Sequence, residues 1–381
     1  MKVQAILIQF VILANVISSN DIFGQEQVGF LKDRRMRNLQ AKKSYSVGLT
    51  RNRDSYTADL YVGSTQQKQT VFLDTRGLWT TIESVDCFNC PGLKYNETRS
   101  TTFKVANDEN TLLNYLSCSF LGYTGTERLS LGDRAYIAND VPIFMARAQN
   151  NLASVFDGVL GLAREINVNN SHRFITILQK ANAIQSRSYS LFIPTGSRTG
   201  NIDIGDPVYT RVKSGINLSN LTLITGTTDW VVRSQKFIIG YSIKSYENDY
   251  GSSNATFDLN QRYIVVPQNF HRYFVNFLTF NQRNGVVADK PNMFPCDPTL
   301  YPTVFLQLGN FYFEIRPESF VINENDGSGL CVIGFVSAKT NSWILGQVFL
   351  NNYYTYFDDL KGIIGIAPHS SSKATITPIT I

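Results

Sequence analysis

The chain has 381 residues, long enough for two domains with proper cores. Its 43% apolar and 17% charged content excludes a disordered chain. The net charge of +5 is diffuse apart from a cluster at Lys32, Arg34, Arg35, Arg37, Lys42 and Lys43, and nothing else in the sequence supports nucleic-acid binding.

In chain order, Lys2 precedes an apolar stretch from Val3 to Ile17 followed by small Ser18 and Ser19, which predicts a cleaved secretory signal over residues 1–19. That stretch is short for a membrane span, and no other segment is apolar enough to cross a bilayer, so no membrane association is expected once the signal is removed. Residues 20–43 are polar and basic with little periodicity and read as a short pro-segment or arm. Strand patterning begins near Ser44, alternates through Tyr56–Val62 and resumes at Thr70–Leu73. Tyr and Phe together number 44, and short β-prone runs separated by Gly, Asn and Asp dominate, so the fold class is mainly β. Helical patterning is confined to Phe174–Lys180, with Ser171 as a candidate cap, and to residues 269–277 after Pro267. Polar residues and two glycosylation sequons between Pro207 and Asp229 suggest a division into an N-terminal β lobe, 44–215, and a C-terminal β lobe, 216–381.

The chain carries one pattern twice. Val71-Phe72-Leu73-Asp74-Thr75-Arg76 and Ala255-Thr256-Phe257-Asp258-Leu259-Asn260 each run strand-prone residues into an aspartate and a turn. Each is followed at nearly equal distance by two aliphatics and a glycine, Val159-Leu160-Gly161 and Ile344-Leu345-Gly346 (161 − 74 = 87; 346 − 258 = 88). Two similar lobes are implied, each offering one carboxylate. Carboxylates that face each other across a pseudo-twofold axis share a proton and activate water.

The five sequons, at Asn96, Asn169, Asn217, Asn220 and Asn254, fit a glycosylated secreted or endomembrane-lumen protein when read with the signal. Five cysteines in such a compartment imply two bridges and one spare thiol. Cys87 and Cys90 could form a redox pair, half a zinc site or a small structural bridge; with no second such pair and no nearby His, metal is not expected. Cys296 and Cys331 flank a strand-rich stretch they could close, which leaves Cys118.

Longer blocks resemble the pepsin-like aspartic proteases over nearly the whole chain after about residue 50. They are Trp343-Ile344-Leu345-Gly346-Gln347-Val348-Phe349-Leu350 through Phe357-Asp358 to Gly365-Ile366-Ala367-Pro368, Phe156-Asp157-Gly158-Val159-Leu160-Gly161-Leu162-Ala163, and Ser100-Thr101-Thr102-Phe103-Lys104. The resemblance implies a bilobal β fold with pseudo-twofold related lobes and an interlobe cleft that holds a polypeptide. It maps Asp74 and Asp258 onto the catalytic pair, Tyr115 onto the flap tyrosine, Trp79 onto its hydrogen-bonding tryptophan, and Ser119 onto the flap's substrate-facing stretch. It also pairs Cys87 with Cys90 and Cys296 with Cys331, and it implies a monomer with no metal and no cofactor.

The flanks depart from the family's Asp-Thr-Gly pattern. Arg76 stands for the first glycine and the following run is about two residues short; Leu259 and Asn260 stand for the second threonine and glycine. A guanidinium beside the pair is expected to favour ionisation of both carboxylates, removing the proton that general acid catalysis needs. Leu259 cannot supply the threonine hydroxyl that bonds across the lobe junction. The flap reads Tyr115-Leu116-Ser117-Cys118-Ser119 and lacks two glycines, with Cys118 either a reactive thiol at the cleft mouth or a buried inert one. Two readings follow: an aspartic endopeptidase with impaired catalysis, or a catalytically inactive pseudoprotease that binds peptides or a partner protein in the cleft.

Overall fold

A computed structural model of the chain describes residues 44–114, 118–132, 137–150, 156–166, 172–240, 247–279 (backbone alone for 247–251), 293–324 and 329–379. The expected signal, arm and basic cluster, Tyr115 and Asn169 lie outside the described residues. The fold is mainly β, the bilobal architecture of pepsin-like proteins. Among the described residues are a thirteen-stranded, an eight-stranded and a three-stranded sheet.

The duplicated pattern sets the centre of each large sheet. Strand Gln67–Asp74 runs parallel to Gly158–Gly161, pairing Val71 with Gly158 and Asp74 with Gly161. In the eight-stranded sheet, Glu247–Phe257 runs parallel to Trp343–Leu345, pairing Ala255 with Trp343 and Phe257 with Leu345. The first central strand buries both faces, so Val71-Phe72-Leu73 is an unbroken apolar run, whereas in the second Ala255 and Phe257 are buried and Thr256 between them is half-buried. The nearly equal intervals read from the sequence are thus the intervals between the two partners of one parallel pair, repeated in each half.

The thirteen-stranded sheet spans the seam. Strands Tyr353–Asp358 and Ile363–Pro368, near the C-terminus, pair antiparallel with each other, and the first of them continues onto Ser188–Phe192. One apolar cluster runs through the seam and includes Leu73, Leu160, Trp230, Phe257, Leu259 and Phe349. Trp230 donates its indole N–H to the Leu162 carbonyl at 2.9 Å, so the ring is buried without stranding its polar atom.

Helix Phe174–Lys180 forms where the periodicity placed it, with Arg173 as its N-cap and no side-chain capping bond. The second helix runs Gln268–Leu278 behind Pro267, whose ring cannot continue a helix backwards. Both cysteine pairs are bonded, Cys87–Cys90 and Cys296–Cys331.

Candidate active site

Each aspartate ends a central strand and turns into a loop that aims backbone N–H groups back at its carboxylate. The Arg76 N–H donates to Asp74 Oδ1 at 3.0 Å, and the Gly77 N–H donates to the Asp74 backbone carbonyl at 3.2 Å, beside the carboxylate. The Asn260 N–H donates to Asp258 Oδ1 at 2.9 Å, and the Gln261 N–H donates to the Asp258 backbone carbonyl at 3.3 Å. The aliphatic–glycine strands make these loops possible. A methyl group built at Gly161 would lie 2.6 Å from the carbonyl oxygens of Gly77 and Trp79, and one at Gly346 would lie 2.1 Å from that of Gln261.

The sequence treats the first-loop glycine as lost to Arg76. In the structure Gly77, one position on, allows the close approach: a methyl group there would sit 2.8 Å from Asp74 Oδ2. The signal for this was the glycine directly after Arg76.

The threonine contact across the junction survives in one direction. The Leu259 N–H donates to Thr75 Oγ1 at 3.1 Å, and Thr75 Oγ1 lies 3.4 Å from the Phe257 carbonyl it donates to. The reciprocal hydroxyl is missing because Leu259 has none. Leu259 is instead fully buried in the seam cluster, and burying such a side chain contributes about 1.5–3 kcal/mol.

Arg76 points inward. Its Nε and Nη2 donate to the two oxygens of Asp229 at 3.3 and 3.1 Å, a bidentate pair, and its Nη1 lies 3.5 Å from Asp258 Oδ2. Asp229 is a site residue that sequence reasoning missed; a single acidic residue in a polar connecting segment gives no motif to find. The guanidinium pulls both carboxylates down, ranking higher among the influences on Asp258 than on Asp74, and burial outweighs it at each. Burial, and then the charge of Asp258, push the Asp74 carboxyl up to about 6, against the opposing N–H groups of Arg76 and Gly77. Burial also raises Asp258, with Arg76 the largest influence pulling it back down. Asp74 is the group raised the further, and so the better holder of a proton.

This asymmetry carries a stability consequence. Between about 4 and about 6 the folded chain keeps a proton on Asp74 that the unfolded chain has released, so this group's contribution is fully present below that window and lost as pH rises through it. Asp74→Asn is therefore expected to raise the melting temperature at pH 7.5, by on the order of 2 kcal/mol of stability, and to leave it nearly unchanged at pH 3.5. Glu83, also pushed up by burial to about 7, slopes in the same direction, so the difference between variant and wild type is the quantity to plot.

Around the pair, Trp79 stacks on His172 with ring centroids 4.1 Å apart and meets Phe144 edge-on. Ser119 opens the return strand of the hairpin Lys104–Asn114/Ser119–Leu131, paired with Asn114. Cys118 is buried in a cluster with Phe72, Phe120, Phe144 and Phe156. Burial and then the nearby Asp74 charge push its thiol up to about 11, the inert alternative of the two considered.

The family model described as eukaryotic aspartyl protease matches residues 55–369. Gastricsin of Mus musculus is 26% identical over 330 residues, covering 82% of this chain and 81% of its own. Cathepsin D of Mus musculus is 25% identical over 342 residues, with 82% and 80% covered. Pepsin A of Gallus gallus is 24% identical over 351 residues, with 87% and 89% covered. A match of this extent, on a fold that twice sets an aspartate at the end of a strand beside an aliphatic–glycine strand, makes the chain a member of the eukaryotic aspartyl protease family.

Proposed function

We propose that this protein holds polypeptide in the cleft between its lobes and that Arg76 suppresses hydrolysis there. The observation that carries the reading is the guanidinium shared between Asp229 and Asp258. Water activation needs a carboxylate oxygen free to accept a proton. On Asp258 the Asn260 N–H engages Oδ1, while Oδ2 faces Arg76. A carboxylate paired with a fixed cation is a weaker base, and the arginine side chain occupies space beside it. What remains is a buried acidic pair framed by N–H donors, and a seam whose packing is intact. The protein acts as a monomer in a secretory or endomembrane lumen. Exposure of Asn217 and Asn220 and partial exposure of Asn96 and Asn254 support glycosylation of these residues.

The test combines turnover with retention. Protein lacking residues 1–43 is incubated with an unfolded protein from pH 3 to 7, and separately immobilised and exposed to peptides. The expected result is cleavage no faster than that by an Asp258→Asn control, together with peptide retention that a statine-containing peptide competes away. Statine-sensitive cleavage at a rate typical of peptidases, or retention of no peptide, would overturn the proposal.

A second reading, slow hydrolysis at acid pH, is favoured by Asp74. A carboxyl raised to about 6 beside a carboxylate held by a cation supplies one acid and one base, the division that peptide hydrolysis on an aspartate pair requires. The same turnover assay separates the two readings.

A further inference from the structure

The loop that carries Asp258 continues through Gln261 and Arg262 into the wall of a cavity of about 680 Å³. This lies within the roughly 300–1,000 Å³ range of ligand sites. Among the described residues, four arginines, Arg51, Arg53, Arg198 and Arg262, line it against two carboxylates, Asp54 and Glu324, an excess of two positive charges (4 − 2). Arg262 is fixed by ion pairs to Glu324 at 2.8 Å and Asp54 at 3.4 Å, and it lies over the Tyr263 ring. Arg51 is 3.9 Å from Asp54 and donates Nε to the Arg53 carbonyl. The Gln347 amide ties this wall to the acidic pair, donating to the Asp54 carbonyl and, at 2.9 Å, to the Leu259 carbonyl. The cavity and the Asp258 loop are therefore braced as one unit.

We infer that this arginine-lined cavity selects the peptide, accepting consecutive acidic side chains a few residues from the segment that lies over Asp74 and Asp258. The inference rests on the peptide-holding reading above. The chemistry is direct: a concave wall with surplus guanidinium groups raises the local concentration of anions and discriminates by charge. Arg262 and Arg51 are pre-set by their existing ion pairs, so a ligand carboxylate meets donors that need little ordering. The exposed Arg198 stands at the same wall, where a ligand's acidic side chains would meet it.

The experiment exposes the immobilised protein to a pool of random dodecapeptides at low salt, and sequences the retained fraction. Wild type is expected to enrich runs of Asp and Glu about tenfold over the input, and 0.5 M salt is expected to erase most of that enrichment. Arg198→Glu and Arg262→Gln are expected to lose the acidic preference while still retaining peptides that the statine peptide displaces. Arg198 is exposed, so its substitution tests the charge without threatening the fold. Retention of peptides by wild type with no acidic preference would overturn this inference and leave the cleft reading standing. An acidic preference unchanged in both variants would overturn the assignment to this cavity. Retention of no peptide would overturn the cleft reading and this inference with it.

Discussion

The combined substitution Arg76→Gly, Leu259→Thr, Asn260→Gly is expected to raise statine-sensitive kcat/KM at acid pH by roughly 10²-fold or more, the scale of a recovered general acid–base step. Removing the guanidinium releases Asp258 Oδ2 from its 3.5 Å ion pair and opens the space beside it. It also removes the largest influence that lowers the Asp258 pKa, so the proton becomes more evenly shared between two carboxylates of like charge. Threonine at 259 restores the missing hydroxyl opposite Thr75, which already receives the backbone N–H of that position. Glycine at 260 removes a side chain whose buried Oδ1 has no hydrogen-bond partner among the described residues, and keeps the backbone donor to Asp258. Asp229, about a quarter exposed, can take up water when its guanidinium leaves. Adding Asp258→Asn to the triple variant should return the rate to background. A triple variant that folds, binds peptide and shows no gain would mean that Arg76 is not what suppresses turnover.

The second large effect concerns Gly346. Alanine there is expected to destabilise the fold by about 3 kcal/mol or more, read as a fall in the denaturation midpoint, and to abolish peptide retention. The added carbon would meet the Gln261 carbonyl oxygen at 2.1 Å and the Tyr263 carbonyl oxygen at 2.3 Å, both backbone atoms that no rotamer change can move. Those carbonyls belong to the loop that follows Asp258, and the Gln347 and Val348 N–H groups also bond to that loop. Relief of the clash must therefore displace the acidic loop. Gly362→Ala is a useful contrast: open space surrounds that glycine, and the only cost is its positive φ of 66°. A Gly346→Ala protein with a wild-type midpoint would refute the close packing described for this loop.

What the sequence carried well was the part fixed by repetition. Both central strands, both aspartates and both closing glycines lie where the duplicated pattern put them, because each parallel pair buries apolar residues at alternate positions of the strand that leads into its aspartate. The helix behind Pro267 was legible for a similar local reason. Arg76 was visibly out of place, yet its direction was not legible: it depends on Asp229, 153 residues away and outside any motif. The unequal titration of the two aspartates was hidden for the same reason, since burial and the direction taken by the Arg76 side chain decide it, and neither is written in the identity of the flanking residues. Leu259 looked only like a loss. Its burial at the seam is a packing gain that becomes visible once the second half of the chain is folded over it.

The pairing of Tyr353–Asp358 with Ser188–Phe192 has a bearing on how the protein is made. A ribosome delivers the chain from one end, and the half that carries Asp74 cannot finish its largest sheet until segments from the far end emerge. During that interval the edge of Ser188–Phe192 is exposed as a template for foreign strands. Biogenesis should therefore lean on chaperones that shield this edge, and truncation upstream of Tyr353 should yield aggregates rather than a soluble half-molecule.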